Sequence, residues 1–311
     1  MLLGPRTRSA PSPRFGTALT ARSTNKASHQ SVGSTSFDAA HTTTLPIRRA
    51  VCSARMATTT EGWGPYPHNP TGVARSVIGA SRIAVGWLLI CTVLPPVIAV
   101  ALLTLRIGTG RWFHRFARIF GRAILRIVGI RLDVEDGEAL EGRRTRIYLI
   151  NHTSQLDVFI ICALMPPGGG PIGKKEFVRI PFLGWTWWAF DLLTIDRSNL
   201  ERAKVSLSEA ARRLTQRKDS AIIAPEGTRS KDGRLGPFKM GAFHLAAEVD
   251  GPIIPIVIRG AAECQPMGNI LIDPGVVRVE VLDEVPTDDY AGSDLHERRD
   301  EVRALFLERL G

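Results

Sequence analysis

The sequence predicts an α/β protein: a mostly parallel sheet flanked by helices, preceded by an N-terminal membrane helix or hairpin. Three observations carry this. From Arg131 onward, short Ile- and Val-rich runs alternate with helical patterns, the signature of strands joined by crossover helices. Two of those runs, Ile147-Tyr148-Leu149-Ile150 and Ile253 to Ile258, are apolar at successive positions rather than alternate ones, as strands covered on both faces must be. Ahead of them, Ile83 to Leu105 passes 23 residues without a charge, enough to cross a hydrocarbon core of about 30 Å at 1.5 Å per residue.

Taken in order, the chain of 311 residues begins with a stretch that cannot build a core. Residues 1–55 are rich in Ser, Thr, Ala, Arg and Pro and nearly lack acids. They read as a disordered leader, either an organellar transit peptide or a misassigned start with Met56 as the true beginning. Charge is concentrated there. Residues 1–60 hold eight Lys or Arg and one acid, Asp38, so they carry +7 of the net +10. The remaining 32 basic and 29 acidic residues give only +3, which removes the case for a nucleic-acid surface. A hydrophobic share of 44% is ordinary for a globular core and excludes a multi-span membrane protein. Cys52, Cys91, Cys162 and Cys264 have no paired spacing, so neither zinc nor a disulfide framework is expected, and the compartment reads as reducing.

Residues 56–128 form the membrane-proximal part, with the apolar segment at 83–105. Arg75 and Arg82 precede it; Arg106, Arg111, Arg115, Arg118, Arg122 and Arg126 follow. The heavier basic side belongs in the cytoplasm, and the rest of the chain with it. Pro95-Pro96 could break the span into a re-entrant hairpin. Trp112 to Val128 then reads as a two-faced helix, with Phe113, Phe116, Ile119, Phe120, Ala123, Ile124 and Ile127 opposite the arginines. It is either a headgroup-binding helix or a core helix with a solvated face.

Residues 129–311 carry the α/β pattern. Strands are expected at Arg146–Ile150, Leu192–Ile195, Ala221–Ala224, Ile253–Ile258 and Val276–Leu282, and helices at Val158–Met165, Leu200–Arg217, Phe238–Val249 and Leu295–Leu310. Ser198-Asn199-Leu200-Glu201 reads as a capping box. Pro166 to Pro171 reads as a loop. Gly168 to Gly173 followed by Lys174 has P-loop spacing, but Lys175 stands where the magnesium-binding hydroxyl belongs, which excludes a nucleotide hydrolase.

The chemistry gathers at strand ends. After Ile150 comes Asn151-His152-Thr153-Ser154-Gln155-Leu156-Asp157. If Thr153 or Ser154 caps the next helix, Asp157 falls in its first turn and reaches back to His152. One imidazole nitrogen is then oriented and the other is free to take a proton, near an unperturbed pKa of about 6.5. The chain contains no G-x-S-x-G elbow, so a covalent serine intermediate is not indicated. Thr194-Ile195-Asp196-Arg197 ends a strand on a guanidinium that can grip phosphate or pair with Asp196. Pro225-Glu226-Gly227-Thr228-Arg229-Ser230 follows another strand, with Gly227 allowing close backbone approach and Arg229 a second cation. Pro252 to Ile258 is a buried strand.

In this order, from Tyr148 to Arg259, the four stretches resemble the motifs of the glycerophospholipid acyltransferase family, the lysophosphatidate acyltransferases and their relatives. Gly173-Lys174-Lys175-Glu176-Phe177, Ile180 to Trp185 and Phe238-Lys239-Met240-Gly241-Ala242-Phe243 are also similar to that family. Asp191, where a small residue is expected, and Ala224, where an aromatic is common, depart from it. The resemblance implies the glycerolipid acyltransferase fold. It implies that His152, steadied by Asp157, deprotonates a substrate hydroxyl that attacks an acyl thioester. Lys174, Lys175, Arg197, Glu226, Gly227, Thr228 and Arg229 are implied to bind the acceptor, Glu226 through a glycerol hydroxyl and the cations through phosphate. The expected reaction makes phosphatidate from lysophosphatidate and acyl-CoA or acyl-carrier protein at a membrane surface, with no metal or cofactor. The alternatives are another lysophospholipid, glycerol-3-phosphate or a lyso-aminolipid as acceptor, or a non-catalytic lipid-phosphate binding protein.

Overall fold

The computed structural model describes residues 64–65, 72–103, 109–181, 183–287 and 294–311. The leader with Cys52, the end of the apolar segment with Arg106, and Phe182 lie outside the described residues. Strand β1 (Gly64–Pro65) precedes helices α1 (Gly72–Leu103) and α2 (Thr109–Ile127). Then follow β2 (Ile130–Glu135), β3 (Ile147–Ile150), α3 (Asp157–Leu164), β4 (Gly169–Pro171), β5 (Gly173–Lys174), α4 (Leu183–Ala189), β6 (Thr194–Ile195), α5 (Leu200–Arg217) and β7 (Ser220–Ile223). The chain closes with α6 (Gly241–Val249), β8 (Ile253–Arg259), α7 (Ala261–Cys264), β9 (Gly275–Val281) and α8 (Leu295–Leu310).

Seven strands make one sheet in the order β1-β9-β8-β3-β7-β4, with β2 also paired to β9. The pairings β3–β7, β3–β8, β4–β7 and β2–β9 are parallel; β8–β9 and β1–β9 are antiparallel. All four residues of β3 are buried. Tyr148 and Ile150 face a core with Leu156, Ile160 and Leu125, while Ile147 and Leu149 face one with Leu214, Phe243 and Phe306. This is why the run shows no alternation: each face of the strand meets its own layer of helices.

The expected helices form close to their predicted bounds, with several corrections. Asn199, not Ser198, caps α5, its side chain accepting the Arg202 N–H at 2.8 Å. Leu192–Ile195 is not a strand of the main sheet; only Thr194–Ile195 is extended, pairing with β5 in a separate parallel ribbon. The expected loop Pro166–Pro171 contains the edge strand β4, whose Gly169-Gly170-Pro171 carries no apolar pattern to reveal it. β2 was also not foreseen. In α2, Ile119 is exposed while Ala117, Ile124 and Leu125 are buried. The buried face turns there because Gly121 lets α2 approach α3 closely: a β-carbon at Gly121 would lie 2.5 Å from the Ala163 nitrogen and 2.6 Å from the Phe159 carbonyl oxygen.

α1 is one continuous helix of 32 residues through Pro95-Pro96, roughly 48 Å long at 1.5 Å per residue, not a hairpin. It is long and apolar enough to cross a membrane over Ala74–Ala101. Near its start Arg75 pairs with Asp273. Near its end Ala101 is buried with Ala189 and Phe190.

Gly121→Ala weighs two opposed effects. Helix propensity favours Ala by up to about 1 kcal/mol. The β-carbon, however, would collide with backbone atoms that cannot rotate away, and overpacking costs about 1–3 kcal/mol. The substitution is expected to lower the unfolding temperature by several degrees; a rise would show that the α2–α3 contact is loose.

Candidate active site

β3 lies between β7 and β8, so its carboxyl end opens where the chain runs outward to both sides, the place where parallel sheets hold ligands. His152 sits two residues past that end. Its Nδ1 is 2.7 Å from Asp157 Oδ2. A carboxylate can only accept, so Nδ1 carries the proton and Nε2 presents a lone pair. The imidazole is 23% exposed and the carboxylate side chain 0%. The expected pair is therefore present, but its scaffold differs from the expectation. Neither Thr153 nor Ser154 caps α3; Leu156 stands at the cap without a side-chain bond. Asp157 Oδ2 instead accepts the N–H groups of Thr153 at 2.8 Å and Ser154 at 2.9 Å. Its Oδ1 is buried with no hydrogen-bond partner among the described residues. Asn151 fixes the strand end by exchanging two bonds with the Ile258 backbone, at 2.8 and 2.7 Å. Ser154 Oγ donates to Gln265 O at 2.9 Å.

The 225–230 stretch folds directly over His152. The His152 N–H donates to Glu226 Oε1 at 2.9 Å, and the Ser230 N–H donates to His152 O at 2.8 Å. Glu226 Oε2 accepts the Gly236 N–H at 3.1 Å. Glu226 is 6% exposed, and burial pushes its carboxyl above the ordinary range against the pull of those two backbone bonds. The sequence reading gave Glu226 to a glycerol hydroxyl; in the structure each of its oxygens already accepts one protein N–H group.

The cations converge on Gly227, whose φ of 75° suits glycine. Arg197 Nη1 donates to Gly227 O at 3.1 Å. Arg197 does not pair with Asp196, which binds Lys175 Nζ at 3.0 Å and the Ser198 N–H at 3.0 Å. Hydrogen bonds from Ser198, then from Lys175, hold the Asp196 carboxyl well below the usual range. Lys175 thus joins the site already partnered. Lys174 is exposed on β5 and Thr228 is exposed beside Arg229.

Sequence reasoning did not single out Lys239 as a site residue. Its N–H donates to Pro225 O at 2.8 Å, and a β-carbon at Gly227 would lie 2.8 Å from its Nζ. Neither Arg229 nor Lys239 makes an ion pair among the described residues. The only hint was its place in Phe238-Lys239, well downstream of the loop. Asp191, the departure noted above, has φ 54°. It keeps that glycine-like backbone while its carboxylate pairs with Arg217 and, at 2.7 Å, with Arg213 of α5. Burial would raise its carboxyl; the two arginines outweigh this and lower it.

Burial pushes the thiols of Cys162 and Cys264 up to about 12, which leaves neither as a nucleophile near neutral pH. A cavity of about 700 Å³ lies at the amino ends of β4 and β7, beside Asp191, Arg213 and Asp219. None of the residues discussed at the other end of the sheet lines it.

A protein-family model described as acyltransferase matches residues 131–259. A 1-acyl-sn-glycerol-3-phosphate acyltransferase of Cocos nucifera is 32% identical over 236 residues, covering 75% of this chain and 76% of its own. One from Salmonella typhimurium is 30% identical over 195 residues, covering 63% and 78%. The alpha form from Homo sapiens is 31% identical over 223 residues, covering 71% and 77%. The crystal structure of the 1-acyl-sn-glycerophosphate acyltransferase PlsC from Thermotoga maritima shares the fold, with a TM-score of 0.64 at 23% identity over 75% of this chain and 94% of that one.

The unpartnered Oδ1 makes Asp157 separable by substitution. In Asp157→Asn the amide oxygen can take the place of Oδ2 and keep all three donors, while the NH₂ enters the position that has no partner. The unfolding temperature is expected to fall, but by less than in Asp157→Ala, because the NH₂ donors are then buried with no partner among the described residues. Asp157→Ala strands those donors and is expected to cost about 2–3 kcal/mol. Equal melting of the two variants would contradict this geometry.

Proposed function

From the premise that this chain belongs to the glycerophospholipid acyltransferase family, we propose that it moves a fatty acyl group from acyl-CoA or acyl-carrier protein to the sn-2 hydroxyl of lysophosphatidate, giving phosphatidate. One observation carries the reading: a buried carboxylate orients a partly exposed imidazole, the loop folded over that imidazole bears Arg229, and Arg197 donates to the same loop at Gly227 O. His152 Nε2 takes the hydroxyl proton as the oxygen attacks the thioester carbonyl carbon. The C–S bond breaks, and the thiolate recovers the proton from the imidazolium. Asp157 favours the imidazolium between those steps. Arg197, Arg229 and Lys239 meet the acceptor phosphate, with Gly227 letting it approach the backbone. Two arginines and a lysine have an obvious partner in a phosphomonoester and none in an uncharged acceptor.

The acceptor and product are lipids, so the site has to work at a bilayer. α1 supplies the attachment through its exposed Val85, Trp87, Leu88, Val100 and Leu103. The arginines that follow it favour the cytoplasmic side for the catalytic domain.

His152→Ala is expected to lower thiol release from acyl-CoA in the presence of lysophosphatidate by about 10²–10⁴-fold, with the protein still folded. Near-normal turnover would rule out the base. Arg229→Ala is expected to raise the acceptor KM about tenfold or more while the donor KM holds, as loss of a charge-assisted phosphate contact should. An unchanged acceptor KM removes its phosphate role, and a panel of lysophospholipids and glycerol-3-phosphate tests the acceptor itself.

A further inference from the structure

We propose that Glu226 is a positioning residue, which sets the place of the His152 backbone and so couples the base to the cation-bearing loop, and does not bind substrate. The inference rests on His152 being the base.

The six residues between β3 and α3 have no regular structure. Left to themselves they would let the imidazole wander, yet proton transfer requires it within hydrogen-bond reach of the attacking hydroxyl. Each neighbour of His152 is pinned from its own side. Asn151 is tied to β8, and Thr153 and Ser154 are tied to Asp157. Among the described residues the backbone of His152 is held by the 225–236 loop: its N–H by Glu226 Oε1 and its carbonyl by the Ser230 N–H. Glu226 is the charged member of that clamp, and a carboxylate holds an N–H more tightly than a neutral acceptor does. Its second oxygen closes the loop on itself through the Gly236 N–H, ten residues on. Gly236 has room for this oxygen and little else, since a β-carbon there would lie 3.1 Å from Oε2. Exposure points the same way. Thr228 is exposed and Arg229 partly exposed, whereas Glu226 between the strand and those residues is turned inward. One loop thus carries Arg229 on its outer side, accepts Arg197 at Gly227 O, and holds the base's support on its inner side. Moving one moves the other.

The test separates kcat from KM in the full-length enzyme with lysophosphatidate and acyl-CoA. In Glu226→Gln one carboxylate oxygen becomes an NH₂ facing a backbone N–H, so one end of the bridge opens. The expected result is a fall in kcat of at least about tenfold, because small displacements of a reacting group are expensive, with acceptor and donor KM each within about twofold. Unchanged kcat overturns the proposal. So does a rise in acceptor KM with kcat preserved, which would make Glu226 a substrate ligand after all. If Glu226→Gln does not fold, Gly236→Ala decides. Its methyl pushes on Oε2 and leaves every charge in place, so the same kcat loss at constant KM supports the proposal and full activity sinks it. Activity surviving in His152→Ala would instead remove the base reading on which the inference stands.

Discussion

Everything at the active end of this molecule depends on one buried carboxylate. Asp157 Oδ2 gathers the imidazole Nδ1 and the N–H groups of Thr153 and Ser154. Those bonds stabilise a negative charge that has no exposure at all, and they do so with groups that would otherwise be unsatisfied donors at a helix start. The same interaction turns the chain from strand to helix and fixes the histidine tautomer. Structure and reactivity share an atom here.

The sheet supplies what that local knot cannot. β3 is central, with β7 and β8 on either side. The loop after β7 folds over the end of β3, and the carboxyl end of β8 is clamped by Asn151 at Ile258. Residues separated by more than 70 positions in sequence therefore meet at His152. Arg197 comes from the small β5–β6 ribbon, outside the main sheet. Asp191, ahead of β6, has a left-handed backbone that would be easy for glycine, and its carboxylate pairs with two arginines of α5. The departure from the family pattern at Asp191 is thus met by partners on a neighbouring helix.

The corrections share a cause. Asp157 rather than Thr153 or Ser154 holds the start of α3, because a carboxylate five residues from the histidine serves three donors where a hydroxyl would serve one. Glu226 turns inward because the nearest unsatisfied donors, on His152 and Gly236, belong to distant segments that no spacing rule connects. Lys239 lies over Gly227 because the α6 approach returns beneath the loop. The edge strand β4 has two glycines and a proline and pairs through backbone alone.

What the sequence by itself determined is everything set by short-range geometry and by burial pattern. The strand–knot–helix around His152 and Asp157, the two-faced apolar strands, the long helices and the apolar span all follow from periodicities of a few residues. What only the tertiary structure decided is which polar groups spend their bonding capacity on the protein and which remain for a ligand. Glutamate and arginine in one motif look equally available on paper. In three dimensions Glu226 is spent on backbone N–H groups, Arg197 leans on a carbonyl, and Arg229 and Lys239 stay unpaired among the described residues. That allocation depends on donors and acceptors brought together by the sheet, and buried groups must be satisfied by whichever partners the fold delivers.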